Sequence, residues 1–171
     1  MILRPASLAD TAALAALGRD SFVAAFGHLY QPGDLSAFLG EVFSDETVAE
    51  EIAGARCTHC LAEEEGQLIG YAKLRDPSDY ADHSSALRPI ELGQLYTDPA
   101  TTGRGIGAAL MDWAIATARS GGHDAILLSV WAENHGAQRF YQRYGFRHIA
   151  DIDFWVGNHR DDEFLYQLYL V

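Results

Sequence analysis

The sequence predicts a mixed α/β (α+β) fold, and three observations predict it. Helical periodicity fills the first third, period-two alternation takes over near residue 59, and two further helical stretches are set between strands in the second half. With 171 residues, 49% of them hydrophobic, the chain is one domain's worth and can bury a sizeable core, so residues 1–171 are expected to form a single domain.

Residues 2–5 read as a short edge strand, where Pro5 is tolerated. Ser7 and Asp10 then form an N-terminal capping pair for an alanine- and leucine-rich helix reaching about Phe26. The run Gln31-Pro32-Gly33-Asp34 breaks the chain, apolar residues at helical spacing follow over 35–43, and Ser44 opens a third helix over 45–55. Residues 59–63 and 67–75 alternate around Glu64-Glu65-Gly66 as a β-hairpin. A polar, irregular stretch leads to a strand over 89–97, then to the glycine-rich run 102–107. Ile106, Leu110, Trp113, Ala114 and Ala118 share one face of a helix that Gly121-Gly122 ends. A buried strand over 125–131, a helix over 134–144 stopped by Gly145, and strands over 148–156 and 164–170 complete the chain.

The formal net charge is -12, from 24 acidic and 12 basic residues, which repels phosphate polymers and argues against nucleic-acid binding. Apolar runs such as 22–26 fall far short of the roughly 20 residues of a membrane span, and the first residues carry no signal-peptide core, so a cytoplasmic protein without membrane partners is expected. Cys57-Thr58-His59-Cys60 lacks the second half of a zinc site and lies in an alternating segment, so both thiols are read as buried and structural, with no metal. Residues 1–91 hold 15 acids against 6 bases, whereas 92–171 hold 9 against 6. An anion sits best near the arginines of 98–147, a cation against the N-terminal half.

A strand feeding a Gly-x-Gly-x-Gly loop that opens a helix is an anion cradle, because first-turn N–H groups lack intrahelical partners and the dipole favours negative charge. Gly103, Gly105 and Gly107 supply the clearance and Arg104 a charge-assisted contact, although a glycine-rich turn that binds nothing has the same letters. Gly103 to Ala108 also satisfies the dinucleotide fingerprint, but that motif follows its strand directly in the first βαβ unit, whereas here Asp98-Pro99-Ala100-Thr101-Thr102 intervenes late in the chain. No Gly-Lys-Ser/Thr follows, which excludes a nucleoside triphosphate loop.

Leu95-Tyr96-Thr97-Asp98-Pro99, then Gly103-Arg104-Gly105-Ile106-Gly107, then Asn134, Ala137, Phe140, Tyr141, Gly145 and Phe146 together resemble the two central motifs of the GCN5-related N-acetyltransferases (GNAT superfamily). The resemblance implies the GNAT fold, a mixed, mostly antiparallel central sheet of about six to seven strands with helices on both faces. It also implies acetyl-CoA as co-substrate and transfer of its acetyl group to an amine. Carried over, the backbone of Leu95, Tyr96 and Thr97 would pair with the pantetheine arm, Gly103, Arg104, Gly105, Ile106, Gly107 and Ala108 would hold the pyrophosphate, and Asn134 and Tyr141 would reach the thioester end. Thr102 departs from the Gln or Arg usual there. Seven residues apart, Asn134 and Tyr141 share a helical face, and Asn134 also suits an N-cap.

An amine of pKa near 10.4 is neutral in only about one molecule in 2,500 at pH 7, a handicap of roughly 4.6 kcal/mol, so a proton acceptor is needed. Glu91 is the candidate: alternation along its strand puts it on the face of Gly93 and Leu95, with Gly93 marking a bulge, and the competing reading is a strand glutamate facing solvent. Tyr141 as acid faces a step uphill by roughly 2 kcal/mol from phenol to thiolate, so it acts outright only if the site shifts those values and otherwise donates a hydrogen bond to the departing sulfur.

The chain further resembles the bacterial polyamine (spermidine/spermine) acetyltransferase branch in Ser21-Phe22 and Phe26, the acidic helix after Ser44, Pro89-Ile90-Glu91, Val130-Trp131 with Asn134, and Phe154-Trp155-Val156-Gly157. That resemblance implies a small cationic amine as acceptor, with Asp34, Glu41, Asp45 and Glu46 as candidate wall residues. Another small amine, a protein amino group, or a non-catalytic CoA-binding role are the alternatives. Oligomeric state is not readable from the sequence, and a homodimer stays open.

Overall fold

The computed structural model describes residues 1–171. Seven strands, β1 (Ile2–Pro5), β2 (Cys57–Glu64), β3 (Gln67–Arg75), β4 (Pro89–Thr97), β5 (Ala125–Trp131), β6 (Arg147–Val156) and β7 (His159–Tyr169), form one sheet in the order β1-β2-β3-β4-β5-β7-β6. Every neighbouring pair is antiparallel except β4 and β5. The expected mixed, mostly antiparallel sheet is therefore the one this chain adopts.

Helices cover both faces, and strand alternation decides which residue meets which. Cys60, Ala62, Ala72, Leu74, Ile126 and Leu128 pack with Leu110, Met111, Ala114 and Ala118 of α4 (Ile106–Ser120). Leu61 and Tyr71, on the opposite face, pack with Leu14, Ala15 and Leu17 of α1 (Thr11–Phe26) and Val48 of α3 (Asp45–Ala53). A third cluster joins Phe22 of α1 to Phe38 of α2 (Pro32–Val42), Phe43 and Val156 of β6. The remaining helix, α5 (His135–Arg143), lies against the α4 side through Phe140 and Tyr141. No helix is long and apolar enough to cross a membrane.

Several boundaries differ from the sequence reading for identifiable reasons. The α2 helix starts at Pro32, because proline at the first helical position gives up only an N–H that has no partner anyway; Pro32-Gly33 opens a helix where a break is expected. Residues 8–10 form a 3-10 turn before α1, with the Ser7 N–H donating to Asp10 Oδ2 at 2.8 Å as the capping pair requires. The hairpin turns at Glu65 and Gly66, both with positive φ. Cys60 is buried but Cys57 only half-buried, since three positions along a strand place them on opposite faces. Strand β7 begins at His159, five residues before the alternation of apolar residues becomes visible.

Two irregularities in β4 shape everything that follows. Lys73 pairs with Gln94 and Leu74 with Leu92, which leaves Gly93 unpaired as the expected bulge. The extra residue reverses the phase of the strand. Leu95 packs on the α4 side, while Glu91, opposite Arg75, faces the α1 and α3 side; the expectation that Glu91 shares a face with Leu95 is corrected by the bulge itself. The parallel pairing of β4 with β5 ends after Pro89, Ile90 and Glu91, and beyond Glu91 the two strands part.

Candidate active site

Where β4 and β5 separate, a cleft of about 450 Å³ runs through the sheet. On the α4 and α5 side it is lined by Leu95, Leu128, Val130, Asn134, Ala137 and Tyr141. On the other side the lining is Phe22, Phe26, Tyr30, Tyr96, Trp131, Phe154 and Glu163, with Ser129 between. An adjoining pocket of about 510 Å³ shares Leu92, Gly93, Gln94, Tyr96, Ser129 and Phe154 and continues toward α2 and α3 past Glu41, Glu51, Lys73, Arg75, Tyr80 and Glu91.

The α4 side is made of backbone. Beyond Glu91, β4 has no strand partner on its β5 side, so the polar groups of Leu95, Tyr96 and Thr97 border the opening. Asp98 closes the strand, its carboxylate accepting from the Ala100 N–H at 2.9 Å, and the chain turns into Gly103 and Gly105 with φ of 79° and 77°. A Cβ at either glycine would meet nothing within 4 Å, so the loop leaves open space in front of the first turn of α4. The Ile106 side chain is buried in the core, leaving its N–H with those of Gly107 and Ala108 as the first-turn donors. Arg104 Nη2 donates to Glu64 Oε2 at 2.7 Å, an exposed ion pair at the edge of the loop.

Asn134 caps α5, its Oδ1 accepting from the Ala137 N–H at 3.2 Å, and it lines the cleft together with Tyr141. The Tyr141 ring is held by Phe146, 5.8 Å between centroids, and by Phe140. Burial, with the Glu163 carboxylate adding to it, pushes the Tyr141 hydroxyl up to about 12. Phe140 itself packs against the α4 cluster, consistent with a structural role.

Glu91 lines the adjoining pocket, 2% exposed, and its Oε2 accepts from Arg75 Nη1 at 2.7 Å. Burial raises its pKa and Arg75 pulls it back, with a net upward shift. Lys73 Nζ is likewise taken, 2.7 Å from Glu51 Oε2. Of the four acidic wall candidates only Glu41 borders the site. Asp34 accepts from the Asn158 N–H at 2.9 Å and so ties α2 to the β6–β7 turn, while Asp45 lies 3.9 Å from Arg19 and Glu46 is on no lining.

One carboxylate in the cleft escaped the sequence reading. Glu163 falls in His159-Arg160-Asp161-Asp162-Glu163, a polar run between the strands expected over 148–156 and 164–170. In the fold it is strand, with Arg160 and Asp162 exposed and Asp161 and Glu163 buried. The same alternation continues into Leu165, and this was the available signal. Burial lifts Glu163 to about 7, against a smaller opposing pull from Ser129.

A family model described as Acetyltransferase (GNAT) family matches residues 23–146. The chain is 30% identical over 158 residues to an uncharacterized N-acetyltransferase of Mycobacterium bovis, covering 92% of this chain and 96% of that one. It is 27% identical over 156 residues to an uncharacterized N-acetyltransferase of Lactobacillus delbrueckii subsp. lactis, covering 91% and 90%. Among solved structures it superposes on the PaiA N-acetyltransferase of Thermoplasma acidophilum in complex with coenzyme A with a TM-score of 0.81, at 22% identity and 98% coverage of both chains.

Proposed function

The chain belongs to the acetyltransferase (GNAT) family and is an acetyl-CoA-dependent N-acetyltransferase, and from that premise we propose that a single domain over residues 1–171 acetylates a primary amine of a small cationic substrate, a polyamine, by direct attack in a ternary complex. Acetyl-CoA fits the residues present: open space before Gly103 and Gly105, uncovered first-turn N–H groups, and a β4 edge without a partner are the requirements of a phosphate-bearing, amide-bearing arm. When bound, it supplies the activated acetyl thioester. Leu95, Tyr96 and Thr97 orient the arm through backbone groups, Gly103 to Ala108 hold the pyrophosphate, and Asn134, which lines the cleft while its Oδ1 caps α5, bonds the arm. Tyr141 donates a hydrogen bond to the departing sulfur. With its hydroxyl pushed up to about 12, outright proton transfer is less favourable than in water, so stabilisation of developing charge is its main contribution. Glu91, oriented by Arg75, borders the entry of the amine and contributes negative charge there.

The observation that carries the cationic acceptor is the charge of the cleft and its adjoining pocket. Four carboxylates, Glu41, Glu51, Glu91 and Glu163, face them against Lys73 and Arg75, and both basic groups are already paired, with Glu51 and Glu91. The uncompensated charge is negative, beside the aromatic walls of Phe22, Phe26, Trp131 and Phe154, which also favour a cation.

A panel of amines with acetyl-CoA, followed by release of free thiol, tests this reading. Spermidine and spermine are expected to be accepted, with KM rising with salt, and Glu41→Gln to raise KM for spermidine about threefold while KM for acetyl-CoA stays constant. Turnover of neutral or anionic amines in their place would leave the acidic lining as solvated surface.

A further inference from the structure

The geometry points to Glu163 as the group that takes the proton from the acceptor amine, a role that rests on the acetyl-transfer reading and refines it. Three carboxylates of the sheet face the acceptor side near the parting of β4 and β5, and two are already committed. Glu91 accepts from Arg75 at 2.7 Å. Asp161 accepts from Tyr30 Oη at 2.5 Å, and His159 Nε2 stands 3.0 Å from its other oxygen. Glu163 forms no ion pair, lines the cleft itself, and lies close enough to Tyr141 for its charge to act on that hydroxyl.

Its surroundings suit a proton acceptor. The groups facing it are Tyr141 from α5, Tyr96 from β4, Tyr30 from the segment before α2, Tyr80 from the segment before β4, Asp161 from its own strand and Ser129 from β5. None of these is a cation, and Lys73 and Arg75 of the adjoining pocket are held by Glu51 and by Glu91 and Asp79. Each of the four tyrosines is pushed upward, so all stay neutral near pH 7 and none competes for the proton. Burial without a cationic partner, with Asp161 adding to it, lifts Glu163 to about 7, where a base combines availability with proton affinity at neutral pH.

The step balances as follows. The substrate enters as an ammonium ion and gives one proton to the Glu163 carboxylate. Its nitrogen lone pair forms the bond to the acetyl carbonyl carbon, the carbon–sulfur bond breaks with its electron pair on sulfur, and the second nitrogen proton goes to that sulfur, which leaves as thiol. Glu163 then returns its proton to solvent through the open side of the cleft.

Two measurements on the full chain test this. Carbon-detected NMR titration of the glutamate carboxyls, without substrate, is expected to show a resonance near pKa 7 that vanishes in Glu163→Gln. In the pH dependence of kcat/KM for spermidine, the wild type is expected to rise to a plateau above an apparent pKa near 7. Glu163→Gln should fall about 100-fold at pH 7 and climb about tenfold per pH unit without a plateau to pH 9, as free amine replaces the missing base. Glu163 titrating in the ordinary carboxylate range, near about 4.3, would overturn the assignment. So would a Glu163→Gln enzyme that keeps the plateau within about threefold of the wild-type rate, or a Glu91→Gln enzyme that alone loses it. The titration needs no turnover, so an ordinary carboxylate value overturns the assignment even if no amine in the panel is accepted, an outcome that by itself counts against acetyl transfer.

Discussion

The two sides of the cleft are built from different parts of the chain's chemistry. On the α4 side the surface offered to a ligand is main chain: a strand edge over 92–97, a loop with two left-handed glycines, and the first turn of a helix. On the α1 side it is side chains drawn from α1, α2, α3, β3, β4, β5, β6 and β7. A backbone site can stay the same while sequences drift, so it suits a co-substrate common to many enzymes. A side-chain site changes with each substitution, so it suits the acceptor that distinguishes one enzyme from the next.

Three experiments break or sharpen that contrast. Tyr141→Phe, at the crossing of the two sides, is expected to lower kcat about 100-fold while leaving Kd for CoA within about twofold, because the lost hydrogen bond matters only as charge develops on sulfur. Stopped-flow turnover and calorimetric titration separate the two effects, and an equal loss in both would make the tyrosine a ligand-binding residue.

Glu163→Gln addresses the acceptor side through stability. The folded-state pKa of Glu163, about 7, lies above the unfolded value near 4.5, so its contribution to stability is complete below about pH 4.5 and is lost as pH rises through 7. Glutamine has no such loss. The variant is expected to melt higher than the wild type at pH 8, by a gain of about 3 kcal/mol, and to come close to it at pH 4.5. Calorimetric melting at the two pH values checks this, and a variant less stable at pH 8 would mean that the carboxylate is paired when ionised.

On the backbone side, Gly105→Val forces a β-branched residue into φ 77° and fills the open space before α4. It is expected to weaken CoA binding about tenfold, read by calorimetry at a temperature where the variant is folded, with the melting temperature lowered by roughly 5 °C from the strained φ alone, since the loop carries no core residue. Unchanged CoA affinity would move the phosphate site elsewhere.

What was legible in the sequence follows the same division. The glycine loop, the strand leading into it, and the pair Asn134 and Tyr141 occupy two short stretches, where spacing alone conveys geometry. The acceptor side depends on which distant residues the sheet brings together, and no local pattern records that. Asp34 and Glu41 look alike as acids of the N-terminal half, yet one holds a turn and the other borders the site, because only the packing of α2 on β6 distinguishes them. Gly93 was readable as a bulge, but its effect on phase acts two residues later, at Leu95, so local alternation misassigns Glu91. Glu163 was hidden by the opposite effect: Arg160 and Asp162 make a buried strand look like a loop when read without its partners Trp131 and Ile152.

The short parallel seam between β4 and β5 has a mechanical consequence. Three residue pairs join one plate of the sheet, β1 to β4, to the other, β5 to β7, whereas β5 and β7 share seven. Under load the sheet has one weak line, and it coincides with the cleft proposed to take the substrates. A molecule wedged into that line touches both plates at once and braces them, so the part of the protein least able to hold itself shut is the part that its own ligand reinforces.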